Sequence, residues 1–235
     1  MRRRCSKFSY DDRGMRILCL SDIHGNHDAL AAVLVATAQH AFGKVLVAGD
    51  IVFPGPQPLE TWRTLTELSA VMVQGVSDKA LAMLDPERIE AKTDFERKRL
   101  ERKRQVRAEL GDLILERLKR LPSQVRIALE DGSEIVLVHG SPADPAEPMA
   151  HDMSDEELLA LVKDDPADII VCGMTHVPFD RTVSGVRILN VGSVGEAPDD
   201  EPGRFAHATM IETSSTGPII VEPFVIPTFS TSRAS

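Results

Sequence analysis

Four short apolar segments of this chain each end in residues of the types that bind metal ions. Asp22 and His24 lie in SDIHGN after the first segment, and Asp50 follows the second. His139 and His176 follow two later segments, VLVHG and DIIVCG. Imidazole and carboxylate groups suit Mn, Fe, Ni, Co or Zn, and no thiolate pattern typical of a structural zinc site accompanies them. We therefore expect these five residues to form a site for a divalent metal.

The elements that must position these residues follow a strand and helix alternation. The apolar, strand-like segments are RILCLS, KVLVAG, AVMVQG, EIVLVHG, DIIVCG and VRILNVG. Helix-like segments lie between or near them, namely HDALAAVLVATAQH, PLETWRTLTELS and SDEELLALV. This alternation predicts an α/β fold. In such folds ligands bind beyond the carboxyl ends of the strands, which is where the metal-binding residue types occur.

The chain is expected to form one domain over residues 15–228, after a disordered arm at 1–14 and before a tail at 229–235. Residues 79–121 are predicted as a helical insertion over one edge of the sheet, and ATMIE and PIIVEPFVI as closing strands. The insertion includes a basic strip, KTDFERKRLERKRQVR, at 92–107. Its pattern predicts an amphipathic helix whose apolar face carries Val106, Leu110, Leu113, Ile114, Leu118 and Leu121. The strip is either a solvated helix face or a surface for an acidic partner.

Composition limits the classes of function. The net charge of −9 over 235 residues argues against a general polyanion binder, so nucleic acid is possible but not favoured as a partner. The three cysteines are far apart, which favours a reducing cytoplasm over a disulfide framework. The apolar segments are too short to span a bilayer, so no membrane association is expected.

Six motifs in order resemble those of the calcineurin-like metallophosphoesterases, in particular the small bacterial and archaeal phosphodiesterases. They are SDIHGN, VLVAGDIVFPGPQP, VQGVSD, VLVHGSP, VCGMTH and LNVGSVG. The resemblance implies a two-sheet β-sandwich flanked by helices. It also implies a site with two divalent metals bridged by an aspartate and by a hydroxide that attacks phosphorus.

By position, the resemblance assigns roles to individual residues. The ligands of the first metal are all present, namely Asp22, His24, Asp50 and His176. The second metal would share the bridging Asp50 and use His139, but Val76 and Met174 stand where the family has asparagine and histidine. Valine has no donor atom, and a thioether is a poor ligand for the metals named above. The sequence therefore predicts a complete first site and a degenerate second site.

Three interpretations of the second site remain open, with one or two ions per chain. The enzyme works with one metal and uses His139 to hold substrate or water, or Ser77 or Asp78 rebuilds a distorted second site. Alternatively, the chain is a catalytically weak or inactive metal-binding or scaffolding protein on the same fold.

The favoured function is a metal-dependent phosphodiesterase that hydrolyses small phosphodiesters. Ser77 also replaces the histidine that serves as general acid in some relatives, which favours substrates with good leaving groups.

Overall fold

Two five-stranded sheets form the centre of the protein in the computed structural model, which describes residues 14–162, 167–198, 204–215 and 217–228. The first sheet has the order β10-β9-β1-β2-β3 and consists of β1 (Arg16–Leu20), β2 (Lys44–Val47), β3 (Val71–Met72), β9 (Phe205–Glu212) and β10 (Ile220–Pro227). The second has the order β4-β5-β6-β8-β7 and consists of β4 (Gln124–Ala128), β5 (Glu134–Val138), β6 (Ile169–Cys172), β7 (Phe179–Val183) and β8 (Val186–Asn190). The α/β fold with two sheets is thus confirmed.

The helices are α1 (His27–Thr37), α2 (Pro58–Glu67), α3 (Val76–Met83), α4 (Asp94–Lys119) and α5 (Asp155–Val162), with short 3-10 turns at Ala38–His40 and Pro86–Arg88. Asn26 caps α1 by accepting a hydrogen bond from the backbone of Ala29. Ser154 and Glu157 bond reciprocally to each other's backbone at the start of α5, as their spacing predicts. Among the described residues, none of these helices has the length and apolar character needed to cross a membrane.

Parallel pairing brings the metal-binding residue types to one end of each sheet. Strands β1, β2 and β3 are parallel neighbours, and so are β5, β6 and β8. The antiparallel strands β9, β10, β4 and β7 lie outside these parallel groups. Sequence patterns did not indicate β4 and β7, which are short edge strands of the second sheet with most of their residues exposed or partly exposed.

The central strands are buried on both faces, which explains their nearly continuous apolar sequences. Along β1, Ile17 and Cys19 pack between the two sheets, whereas Leu18 and Leu20 pack among the helices. Strand β5 alternates in the same way, and its Val136 packs in the cluster that includes α5 residues.

Burial raises the pKa of Cys172, which is unpaired like Cys19, to about 12, so this thiol is chemically inert.

Helix α4 places the basic strip against the protein. Lys103 donates a hydrogen bond to the carbonyl of Ala80, and Arg107 donates to that of Leu81, so both satisfy carbonyls near the end of α3. Arg102 donates to the carbonyls of Pro54 and Gly55 in the loop after β2. Part of the strip therefore holds α3 and this loop in place instead of forming a purely solvated face.

One detail of the predicted apolar face of α4 is wrong. Leu113 is 71% exposed, whereas Leu110 and Leu118 are buried. The cause is Gly111, whose φ of 70° and ψ of 167° interrupt the helical geometry and change the direction of the residues that follow. A periodicity that runs through Gly111 therefore cannot describe one continuous face.

We expect Arg102→Ala to lower the free energy of unfolding by about 1–2 kcal/mol, because two backbone carbonyls lose a charged donor. Urea unfolding of the purified variant measures this change. Arg117→Ala on an exposed part of the same helix is the control and should change the free energy by less than about 0.5 kcal/mol. Equal stability of the two variants would show that the contact between Arg102 and the loop is energetically neutral.

Candidate metal centre

The five residues singled out in the sequence converge at the carboxyl ends of strands from both sheets. Asp22 and His24 follow β1, Asp50 follows β2, His139 follows β5 and His176 follows β6. Their potential ligand atoms form two groups, and within each group all atoms lie within 4.8 Å of one another. The groups are Asp22 with His24 and His176, and Asp22 with Asp50 and His139. Asp22 is common to both groups, and the bridging position that the resemblance assigns to Asp50 stays a prediction.

The loops that carry these residues adopt a strained backbone. Asp22, His24, Asp50, Met174 and His176 all have φ between 51° and 69°, in the left-handed region. This conformation costs roughly 1–2 kcal/mol for a residue with a side chain. Such strain concentrates at functional sites, where surrounding contacts enforce it. Here the backbone amides of Asp22 and His24 donate to the carbonyls of Gly49 and Asp50, at 3.1 and 2.9 Å.

Backbone carbonyls fix the orientation of all three histidines. The Nδ1 atom of His24 lies 2.6 Å from the carbonyl oxygen of Phe53, and that of His139 lies 2.7 Å from Ala48. The Nδ1 atom of His176 lies 3.0 Å from the carbonyl oxygen of Glu196. Because a carbonyl only accepts, each Nδ1 carries a proton, and a ring bound to a metal ion would use its Nε2 lone pair.

These lone pairs meet at distances that suit a shared cation. The Nε2 atoms of His24 and His176 are 3.2 Å apart, and they lie 3.7 and 3.2 Å from Oδ1 of Asp22. Ligands bound at about 2.0–2.1 Å around a tetrahedral ion lie about 3.4 Å from one another. Asp22 Oδ1 is buried and receives no hydrogen bond from the described residues. The donor set therefore fits a divalent metal.

The buried charges also shift one another's pKa. Burial alone would raise the pKa of Asp22, but His176 and His139 outweigh it and lower that pKa. Burial would lower the pKa of His176, but the Asp22 carboxylate raises it. A proton and a metal ion therefore compete for the Nε2 atom of His176.

In the second group, two positions that the resemblance assigns to ligands have no nitrogen or oxygen donor in the side chain. Val76 is the first residue of α3, and its side chain is 43% exposed. Met174 is half-buried, and its backbone amide donates to Asp22 Oδ2 at 2.9 Å. Neither side chain supplies nitrogen or oxygen, which leaves Asp22, Asp50 and His139 as the donors.

Ser77 and Asp78 have structural roles beside this group. The backbone amide of Ser77 donates to Asp50 Oδ1 at 2.8 Å. Asp78 is fully buried, and its two oxygens accept hydrogen bonds from the backbone amides of Ile51 and Gly75. Burial and the Asp50 charge raise its pKa to about 6. Asp78 belongs to neither ligand group, and its bonding at the start of α3 accounts for its burial.

Glu196 is a residue of this site that the sequence reasoning missed. Its Oε2 lies 3.7 Å from Nε2 of His24, and its carbonyl accepts the Nδ1 proton of His176. It follows β8, a parallel neighbour of β6, so the rule applied to the other strand ends would have identified it. In the same region the Gly192 amide donates to Asn190 Oδ1 at 3.0 Å.

Residues 15–213 match the calcineurin-like phosphoesterase superfamily domain. The chain belongs to this metal-dependent family. It is 27% identical over 182 residues to the uncharacterized protein MJ0912 of Methanocaldococcus jannaschii, covering 76% of this chain and 69% of that protein.

Solved structures share the family's fold. The hypothetical protein PH1004 of Pyrococcus horikoshii OT3 has a TM-score of 0.76 at 22% identity, and a metallophosphoesterase of Sphaerobacter thermophilus has 0.72 at 23%. Both comparisons cover 92% of this chain and 89% of the other. A structure described as a novel archaeal phosphodiesterase has a TM-score of 0.51 at 16% identity, over 90% of this chain and 100% of that one.

Glycine at position 75 makes room for the Asp50 carboxylate. A Cβ atom there would lie 2.1 Å from Asp50 Oδ1 and 2.2 Å from the Asp50 amide nitrogen. Gly75 has φ of −88° and ψ of 175°, which alanine also adopts, so the effect of a substitution there is steric.

We expect Gly75→Ala to weaken divalent metal binding by at least about tenfold, since Asp50 must move. Isothermal titration of metal-stripped protein measures the affinity. Gly43→Ala is the matched control, because a Cβ at that position meets nothing within 4 Å. Unchanged binding by Gly75→Ala would mean that Asp50 does not contribute to the affinity.

Proposed function

We propose that this protein is a metal-dependent phosphodiesterase that hydrolyses small phosphodiesters. The observation that carries the proposal is the convergence of Asp22 Oδ1 with the Nε2 lone pairs of His24 and His176. A divalent ion bound there would polarise a phosphoryl oxygen and lower the pKa of a water molecule to about 7. Family membership supports the phosphoester class, and the archaeal phosphodiesterase of similar fold supports the diester.

Backbone groups of the protein position the histidines that would bind the ion. The carbonyls of Phe53, Ala48 and Glu196 orient the three imidazoles through their Nδ1 atoms. Neutral ligands bind the ion without adding negative charge beside an anionic ester. His139 Nε2 lies 3.6 Å from Asp50 Oδ1 and, with one ion bound, would hold substrate or water.

The substrate proposed is small and soluble, as opposed to a nucleic acid. Lys103, Arg107 and Arg102 donate to carbonyls within the protein, which leaves fewer basic groups of α4 for a phosphate backbone. Arg99 is exposed and stacks over the Phe53 ring at 5.1 Å, which makes it the basic residue best placed beside the site loop. The two buried, unpaired cysteines support a cytoplasmic setting.

A scaffolding function on the same fold is the second candidate, and the side chains of Val76 and Met174 favour it. Loss of a second ion would remove several kcal/mol of transition-state stabilisation, or orders of magnitude in rate. The intact first group argues for metal binding in either case. Metal content measured together with hydrolysis therefore separates the two functions.

We expect the purified protein to bind one Mn²⁺, Co²⁺ or Ni²⁺ ion per chain and to hydrolyse an activated aryl phosphodiester. Asp22→Asn should abolish stoichiometric binding and lower the rate at least about 100-fold, because both ligand groups lose their shared carboxylate. Metal analysis and a chromogenic assay give these two results, with exposed Asp112→Asn as the control. Bound metal without hydrolysis would favour the scaffold, and absence of both would contradict the proposal.

We expect Val76→Asn combined with Met174→His to add a second ion and to raise the rate about tenfold or more, since two ions clamp both reacting oxygens. Metal stoichiometry and the same assay test this, with each single substitution as its control. A double variant that still binds one ion would show that positions 76 and 174 do not belong to a second metal site.

A further inference from the structure

A cleft with a volume of about 250 Å³ lies between the start of α3 and the loop that follows β5. The α3 side is lined by Gly75, Val76 and Lys79, and the loop side by Asp144, Pro145 and Ala146. The volume is slightly below the usual range for a complete small-molecule site. The cleft therefore suits one part of a substrate whose remaining part is bound elsewhere.

The α3 side of the cleft is in contact with Asp50. A Cβ atom at Gly75 would lie 2.1 Å from Asp50 Oδ1, so this carboxylate lies against a glycine that lines the cleft. The amide of Ser77, the residue after Val76, donates to the same oxygen at 2.8 Å. A group bound against Val76 would therefore lie close to the metal centre.

The opposite side of the cleft is fixed to the residues that follow His139. The amides of Gly140 and Ser141 donate to the carbonyls of Pro145 and Asp144, at 3.1 and 3.2 Å. Oδ1 of Asp144 accepts a further backbone amide of the same loop at 2.9 Å. These hydrogen bonds give the loop a defined shape, so the cleft is formed before a ligand binds.

The side chains on the α3 side change from apolar to cationic along the helix. Val76 is the first residue of α3 and is exposed, so its isopropyl group is available to a ligand. Lys79 is also exposed and lies three residues further, on the same side of the helix. Its ammonium group forms no ion pair with the residues that the structure describes. This order matches an organic group that is apolar near phosphorus and anionic about one helical turn away.

We propose that this cleft binds one ester substituent of the substrate, and that Val76 and Lys79 determine which substituent is accepted. The inference rests on the proposed phosphodiesterase function and names its substrate class. That class is a small phosphodiester with a substituent that is apolar beside phosphorus and carries a second negative charge. The Asp144 carboxylate on the loop side would repel this charge and so favour its placement at Lys79.

The test varies one substituent of a p-nitrophenyl phosphodiester, so that the leaving group stays the same. The second substituent is phenyl or p-carboxyphenyl, and we expect wild-type protein with Mn²⁺ to have the lower KM for p-carboxyphenyl. Lys79→Gln should reduce this preference, measured as the ratio of the two kcat/KM values, at least about threefold. Lys44→Gln removes a charge at the opposite end of β2 from Asp50 and should keep the preference.

Val76→Ala tests the apolar part of the cleft. We expect it to raise KM for the phenyl diester at least about threefold, because part of the apolar contact is lost, and to keep the metal content of wild type. Val35→Ala makes the same change at an exposed position of α1 and should match wild type.

Two results would overturn the proposed cleft and leave the proposed function intact. One is a preference for p-carboxyphenyl that is absent in wild type or persists in Lys79→Gln, and the other is an unchanged KM in Val76→Ala. A wild-type protein that hydrolyses neither diester would overturn both proposals.

Discussion

The burial of the Asp22 carboxylate is the constraint on which the arrangement of the site depends. A buried carboxylate without partners costs several kcal/mol, so the structure must compensate both of its oxygens. Oδ2 accepts hydrogen bonds from the Ser21 hydroxyl at 2.6 Å and the Met174 amide at 2.9 Å. Oδ1 faces His24 and His176 instead. Because these partners come from both sheets, the site is complete only when the two sheets are packed together.

The loop geometry follows from the same constraint. A Cβ at position 173 would lie 2.5 Å from Asp22 Oδ2 and 1.9 Å from the Ser21 hydroxyl, so only glycine leaves room for that bonded oxygen. The left-handed residues of the site carry strain that an isolated loop would release. Hydrogen bonds to the backbone of neighbouring loops hold them, as where the Gly195 amide donates to the Asp22 carbonyl at 3.0 Å. The strands and the neighbouring loops thus hold these side chains in place, although the backbone conformation of the loop residues is itself unfavourable.

Sequence reasoning identified the metal-binding residue types at the strand ends. It did not identify contacts between residues that are far apart in the chain. Because parallel strands share one carboxyl edge, the sequence places Asp22 and His24 near Asp50, and His139 near His176; the approach of these two edges depends on how the two sheets pack. The packing of α4 could not be predicted, since Lys103 and Arg102 bond to carbonyls 23 and 48 residues away. Glu196 was missed because the rule for strand ends was not applied to the segment that forms β8. The Leu113 prediction was wrong because helical periodicity contains no information on the backbone angles of Gly111.

The side chains of the two ligand groups differ in the structural hydrogen bonds that they make in addition to any metal binding. Asp50 Oδ1 accepts the Ser77 amide at the start of α3, so the presence of Asp50 is explained without a second ion. The His139 ring similarly joins the sheets through its bond to the Ala48 carbonyl. The Nε2 atoms of His24 and His176 instead lie 3.2 Å from each other and beside Asp22 Oδ1. Acceptor atoms that converge on a buried carboxylate need a positive charge between them, either a proton on His176, whose pKa Asp22 raises, or a metal ion, so the structure argues more strongly for the first ion than for the second.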